Sequence, residues 1–153
     1  MKKSILTNTS EIEDIINKCE VCNVSMVDEN MMPYVLPFNF AYHENCLYFH
    51  GTQTGKKIDV LKQNSNVCIS FSTDHLLSFQ SESVACSFTM KFRSVIAYGK
   101  AVFVEDFDAK VYALDLIMKK YTNNHYDFAV PAVKNIHIFK VEIESWLGRE
   151  SGY

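Results

Sequence analysis

The run Ser87-Phe88-Thr89-Met90-Lys91-Phe92-Arg93-Ser94-Val95-Ile96-Ala97-Tyr98-Gly99-Lys100-Ala101-Val102-Phe103-Val104 is the longest β signal in the chain. Phe88, Met90, Phe92, Ile96 and Tyr98 fall on one parity, and Ser87, Thr89, Lys91 and Arg93 on the other. This is the period of two that alternating strand side chains require. A strand of that length has to bend, and Gly99 is the natural place for it. Downstream, Asp106 or Asp108 caps a helix that carries Val111, Leu114, Met118 and Tyr121 on one face and is closed by Asn123-Asn124. The last element, Ile136 to Ile143, places His137, Phe139, Val141 and Ile143 on one face and leads into Glu144-Ser145-Trp146-Leu147-Gly148-Arg149.

Upstream, Val67 to Ser72 reads as a strand followed by a looser segment, Thr73 to Glu82. Leu47 to Leu61 reads as a strand, a small polar loop and a helix start. Met32 to Tyr42 is interrupted by Pro33 and Pro37, so this strand is bulged or lies at a sheet edge, with main-chain groups left for another partner. Val24 to Val27, with the polar turn Asp28-Glu29-Asn30, forms a hairpin with it. Ser10-Glu11-Ile12-Glu13 has the capping-box form and opens an amphipathic helix bearing Ile12, Ile15, Ile16 and Cys19. Six strands, mostly antiparallel, with peripheral helices give a mainly β fold. A closed or partly closed barrel is the natural way to remove its sheet edges. No repeat or linker interrupts the chain, so 1–153 is one domain.

Composition narrows the function classes. The chain has 153 residues, 48% of them hydrophobic, and a formal charge of −3. It is long enough to bury a core without staples, and its acidic balance removes the basic surface that nucleic-acid binding needs. No apolar run is long enough to span a membrane and no signal core follows Lys2-Lys3, which points to the cytoplasm. Five cysteines form an odd set, so reduced thiols are expected. Cys19 and Cys22 make a lone C-x-x-C without a second pair for zinc.

The loop before Lys56-Lys57 carries the most chemistry. Lysines in a first helical turn oppose the helix dipole and cost about 0.3 to 1 kcal/mol each, while the free amides there attract phosphate. A bound phosphate reverses the sign of both terms. The plain alternative is two solvated lysines behind a Thr54 cap. His50 ends the preceding strand, and its ordinary pKa near 6.5 suits proton delivery at neutral pH. The same position also suits a hydrogen-bonded surface histidine.

Five segments in order, Pro33-Tyr34-Val35-Leu36-Pro37-Phe38-Asn39-Phe40, Leu47-Tyr48-Phe49-His50, Gly55-Lys56-Lys57, Phe92-Arg93-Ser94-Val95-Ile96-Ala97-Tyr98-Gly99 and Trp146-Leu147-Gly148, resemble the 5-nitroimidazole resistance (Nim) family. That family lies within the pyridoxamine 5'-phosphate oxidase-like flavoproteins. The resemblance implies a split β-barrel, a homodimer, and FMN held at the subunit interface. It implies that Val35, Leu36, Pro37, Phe38 and Asn39 run along the isoalloxazine edge. His50, Gly51 and Thr52 would line the ribityl and phosphate side, with Lys56 and Lys57 on the phosphate. Lys56 stands where many relatives carry arginine, which exchanges a bidentate fork for a point charge.

The same resemblance makes His50 the substrate or proton-donor residue and brings Trp146 toward the flavin cleft. Arg93 and Lys91, on the polar parity of the long strand, are open to two readings: solvated or paired at a dimer interface, or reaching an anionic substrate or the flavin phosphate. Arg93 and Ser94 count among the cofactor contacts that the resemblance implies. His43, His75, His125 and His137 receive no role, and Cys86 reads as a small buried residue. The implied function is an FMN-dependent oxidoreductase passing electrons from NAD(P)H or another donor to a small planar acceptor such as a nitroimidazole. The alternative is a non-catalytic split-barrel binder of flavin or haem, because no G-x-G-x-x-G fingerprint marks a dinucleotide site. A barrel binding single-stranded nucleic acid through strand aromatics is disfavoured by the charge.

Overall fold

The protein is described by a computed structural model covering residues 3–153. Its strands are β1 (Lys3–Leu6), β2 (Cys22–Val27), β3 (Pro33–Phe38), β4 (Ala41–His43), β5 (Cys46–Gly51), β6 (Asn66–Ser78), β7 (Thr89–Val104) and β8 (His137–Ser151). The helices are α1 (Thr9–Lys18), α2 (Lys56–Gln63), α3 (Phe107–Thr122) and α4 (Val130–Lys134). Eight strands, not six, are therefore present among the described residues. β1 and β4 are too short to leave a periodic signal. β6 continues through Ser78 because a register shift between Thr73 and Leu76 lets it follow β7 past the irregular stretch.

All pairings are antiparallel, in the order β3-β2-β6-β7-β8-β5-β4, with β1 added on β8. The ladder does not close, yet the sheet rolls up. Phe38 of β3 touches both Phe49 of β5 and Phe139 of β8, with ring centroids 5.6 Å apart in each pair. Strands at distant places in the order thus share one interior, which makes the fold a split barrel. Phe40, Phe49, Phe71 and Phe139 are fully buried within it.

The long central strand is inverted relative to its chemistry. Val95, Ala97, Gly99 and Ala101 are the buried residues of β7, whereas Met90 and Tyr98, on the parity with the large apolar residues, are 46% and 49% exposed. The interior of a tightly rolled barrel is crowded, so the small side chains face in and the large ones face out. The bend falls at Gly99 as expected, opposite a register shift in which Glu144 of β8 is left without a partner in β7.

Two helix readings shift. Asn8, not Ser10, caps α1 by accepting from the Ser10 amide, while Ile12, Ile15 and Ile16 are buried as the periodicity requires. In α3, capped by Asp106 and ended by Asn123 at φ 58, the buried positions are Lys110, Ala113 and Ile117, one step round from the Val111 face. Lys110 is buried because its ammonium donates to the Ile136 carbonyl at 3.1 Å.

Lys120, on the same side of α3, has no such partner. Its Nζ is buried without a hydrogen-bond acceptor among the described residues and lies 3.5 Å from the centroid of the Phe40 ring. A cation over an aromatic face gains up to about 2 kcal/mol when desolvated, but burial prevails and lowers the Lys120 pKa to about 8. Its neighbours Cys19 and Cys22 counter this only in part, and burial raises both thiols, Cys22 to about 12. The unfolded chain holds the lysine proton until about 10.5, so stability rises between pH 8 and 10.5 and the burial penalty is complete below 8. Lys120→Met is expected to raise stability at pH 7 by about 1 to 2 kcal/mol and to abolish that rise. Thermal unfolding followed from pH 7 to 10.5 checks both.

Candidate functional site

The site begins where β5 ends. Gly51 faces His137 across the β5–β8 ladder, and the chain then leaves the sheet. The Thr52 hydroxyl donates to the Thr54 carbonyl at 2.9 Å, and Gln53 Nε2 donates to the Lys134 carbonyl of α4 at 2.7 Å. These two bonds fix the loop on both sides. The residue before α2 is Gly55 at φ 124, a conformation that favours glycine, and no side chain caps the helix. Thr54 is therefore not the cap. The first amides of α2 point out of the helix end unclaimed by any side chain, the arrangement that accepts an anion.

The two lysines part company here. Lys56 Nζ lies 3.6 Å from Asp28 Oδ2 and 4.8 Å from the Tyr34 ring centroid. Asp28 is held ready for it, since its carboxylate accepts from the amides of Asn30 and Met32 at 3.0 Å each. The Met32 amide is the main cause of its lowered pKa. Lys57 has no carboxylate partner among the described residues. Its ammonium sits over the Gly51 main chain, so close that a Cβ there would come within 2.7 Å of Nζ, and it lies 5.6 Å from the Phe38 ring centroid. Lys57 is thus the cation left for a ligand, and Gly51 is the residue that makes room for it.

His50 is opposite Ile138 in the ladder and so points to the other face from the Phe49–Phe139 stack. Its Nδ1 is buried without a partner among the described residues. Burial first, and the Lys57 charge second, push its pKa below 6.5. The ring is then neutral at pH 7 and offers one N–H and one lone pair, so its service as an acid needs an anion nearby to offset Lys57. Because the folded pKa is the lower one, the unfolded chain takes up this proton first. The site's contribution to stability is full above 6.5 and is lost as pH falls from there through the folded value. A histidine NMR titration is expected to show His50 below 6.5, moving up when phosphate or FMN is added. No movement would place the anion elsewhere.

The other predicted residues divide into groups. Val35, Leu36, Pro37 and Phe38 lie on β3, an edge strand paired only with β2, and Asn39 follows it exposed. Neither Pro33 nor Pro37 can donate to β2, so both, with Val35 between them on the same parity, direct their main-chain groups to the open edge. Phe38 and Lys57 join this strand to the loop. Arg93 is elsewhere: its guanidinium pairs with Asp74 at 2.9 Å and Glu150 at 3.3 Å and stacks on Tyr153 at 4.1 Å. Ser94 is on the opposite face of β7, beside Arg149. Trp146 pairs with Ala97 and packs against the core. Within one chain, then, the loop, His50 and β3 come together, and Arg93, Ser94 and Trp146 do not join them. Sequence reasoning missed Asp28, Tyr34 and Gln53. Asp28 had signalled only a turn, and Gln53 gave no sign of its tie to α4, itself too short to read.

Comparison with known proteins agrees with this fold. Residues 8–150 match the family model described as pyridoxamine 5'-phosphate oxidase. A crystal structure of a candidate 5-nitroimidazole antibiotic resistance protein from Bacteroides thetaiotaomicron VPI-5482 is 38% identical, with 97% of this chain and 87% of that chain covered and a TM-score of 0.89. The chain belongs to the pyridoxamine 5'-phosphate oxidase family. Within it, its kinship is with the 5-nitroimidazole resistance proteins. The FAD and heme binding protein of Mycobacterium smegmatis shares the fold at 18% identity, TM-score 0.83, covering 100% of this chain and 75% of that one. The flavocytochrome Anf3 of Azotobacter vinelandii does so at 19% identity, TM-score 0.80, covering 97% and 70%. No curated protein matches significantly. This member of the oxidase family has a flavin-binding type of fold, and no helix among its described residues is long and apolar enough to cross a membrane.

Proposed function

We propose that this protein binds FMN and works as an oxidoreductase, passing electrons from NAD(P)H or another donor to a small planar acceptor such as a nitroimidazole. The observation that carries the reading is the uncompensated Lys57 ammonium over Gly51 at an uncapped helix start. The residues fit the cofactor. Lys57 and the α2 amides would hold the phosphate, with Thr52 beside them, and Lys56 would add charge from its place on Asp28. The open edge of β3, from Val35 to Asn39, would meet the polar rim of the flavin ring. FMN supplies the redox chemistry once bound. His50, its pKa restored by a nearby anion, would hold the proton that nitro-group reduction needs along with electrons.

Two further parts of the proposal concern assembly and place. The outward parity of β7, with Tyr98 and Val102 exposed and Leu147 beside Ile96, presents an apolar face that suits a second copy of the chain. Such a homodimer is where Arg93, Ser94 and Trp146 would rejoin a flavin from the other side. All five cysteines are free, which fits a reducing compartment such as the cytoplasm.

The deciding experiment is to titrate FMN into cofactor-free protein and then mix the complex with NADH or NADPH by stopped flow. Saturable binding of one FMN per chain, followed by bleaching and acceptor-dependent recolouring, is expected. Failure to bind FMN removes the reading. Binding without bleaching by any donor leaves the storage or sensing alternative.

A further inference from the structure

Two histidines on adjoining rungs of the β5–β8 ladder each hold a buried Nδ1 without a hydrogen-bond partner among the described residues: His50 and His137. His50 already has a place in the proposed site. His137 has none. It opens β8 directly opposite Gly51 of β5, and residues opposite each other on antiparallel strands project from the same face of the sheet. Its ring therefore stands beside the space that Gly51 leaves free of a side chain. That space is taken by the Lys57 ammonium, which a Gly51 Cβ would meet at 2.7 Å. The same face carries the stacked Phe49 and Phe139 rings, and Phe38, 5.6 Å from Lys57 Nζ, touches both. Lys57 and His137 thus meet over one glycine at one end of the barrel.

The orientation of the ring follows from its surroundings. Phe103 packs on it at 5.4 Å and an interplanar angle of 59°. Nδ1 is shut in, yet the residue as a whole is only half-buried. A proton on Nδ1 would be an orphaned buried donor, a costlier fault than an orphaned lone pair, so the favoured tautomer has its proton on Nε2. Nε2 is the open nitrogen, and it makes no hydrogen bond among the described residues. A donor that meets no acceptor, beside an ammonium that meets no carboxylate, suits an anion. Lys3 and Tyr153, where the described chain begins and ends, lie at the opposite end of β8. That far end also holds Lys91, over the Tyr153 ring at 5.7 Å, and Cys86, expected to be buried but exposed in the 3-10 turn Ala85–Ser87.

We infer that His137 is a second side-chain donor to the phosphate at Lys57, its Nε2–H completing a cradle formed by that ammonium and the first amides of α2. The inference rests on the FMN reading and adds to it a residue from β8, outside the loop on which that reading was built. The loop and α2 approach the phosphate from the end of β5, and His137 approaches it from the neighbouring strand.

The test titrates FMN into the full native chain and into His137→Phe and His137→Gln, read by flavin fluorescence, and follows the histidine ring nitrogens of the native protein by NMR. The His137 signal is the one missing from either variant. Phenylalanine keeps an aromatic ring against Phe103 and removes the donor, while glutamine offers an amide N–H in its place. His137→Phe is expected to weaken FMN binding about tenfold, the worth of one hydrogen bond to a charged group, and His137→Gln no more than about threefold. In the native protein the His137 ring signals should move along the same binding curve as the fluorescence. FMN bound in a manner that depends on Lys57, with His137 unmoved or with His137→Phe as tight as the native chain, would overturn this inference and leave the FMN reading standing. Equal losses in the two variants would make His137 a packing residue and overturn it too. A native chain that binds no FMN removes both.

Discussion

Gly99→Ala is expected to destabilise the protein by about 3 kcal/mol, the cost of forcing a methyl group into a site walled by main chain. A Cβ at Gly99 would stand 2.4 Å from the Glu142 carbonyl oxygen and 2.7 Å from Val141 Cγ1. The first obstacle is backbone in a neighbouring strand and cannot rotate away. Strain in the Gly99 backbone plays no part; the requirement is space. The position is also central, since β7 and β8 pair from Phe92–Ser151 to Val104–Ile138 and the shift between Tyr98 and Gly99 bends them together. Relaxing the clash means opening that bend. Denaturant unfolding gives the number, and a loss below about 1 kcal/mol would mean that the bend yields easily.

The second large effect is on ligand affinity. Lys57→Ala should weaken FMN binding by about 10- to 100-fold, the range of a charge-assisted phosphate contact of 1.5 to 3 kcal/mol. Lys56→Ala should cost only about threefold, because its ammonium is already engaged by Asp28 and partly screened by solvent. Gly51→Ala supplies the control. Its Cβ would displace only the tip of the Lys57 side chain, so stability should hold within about 0.5 kcal/mol while FMN affinity falls. Fluorescence titration of FMN into the three variants measures the ranking. Equal losses for the two lysines would show that the Asp28 pair breaks when phosphate arrives.

Much of this was legible from residue type and spacing. Pro33 and Pro37 marked β3 as bulged or at an edge because proline has no proton to donate, and of the two β3 is an edge. Gly99 marked the bend, and of the two candidate caps, Asp106 and Asp108, the first starts α3, which ends at Asn123 of the Asn123-Asn124 pair. Other features depend on the rolled sheet, which spacing does not reveal. Parity showed that β7 has a large apolar face and a small mixed one, but the crowding of the barrel decides that the small one turns inward. Lys56 and Lys57 are adjacent in sequence, yet one helical step of about 100° sends one to Asp28 and the other over Gly51. The resemblance to a known family located the loop, His50 and β3 together. The separate place of Arg93 follows from Asp74 and Glu150, carboxylates brought to it by β6 and β8.

The prolines of β3 also bear on how the chain meets other copies of itself. An open strand edge is the usual nucleus for polymerisation, because it offers a matching ladder to any other extended chain. On β3 that ladder is missing two of its rungs, so newly made chains cannot zip together along it. The open edge of β3, kept free for a ligand, is by the same token a poor template for fibrils.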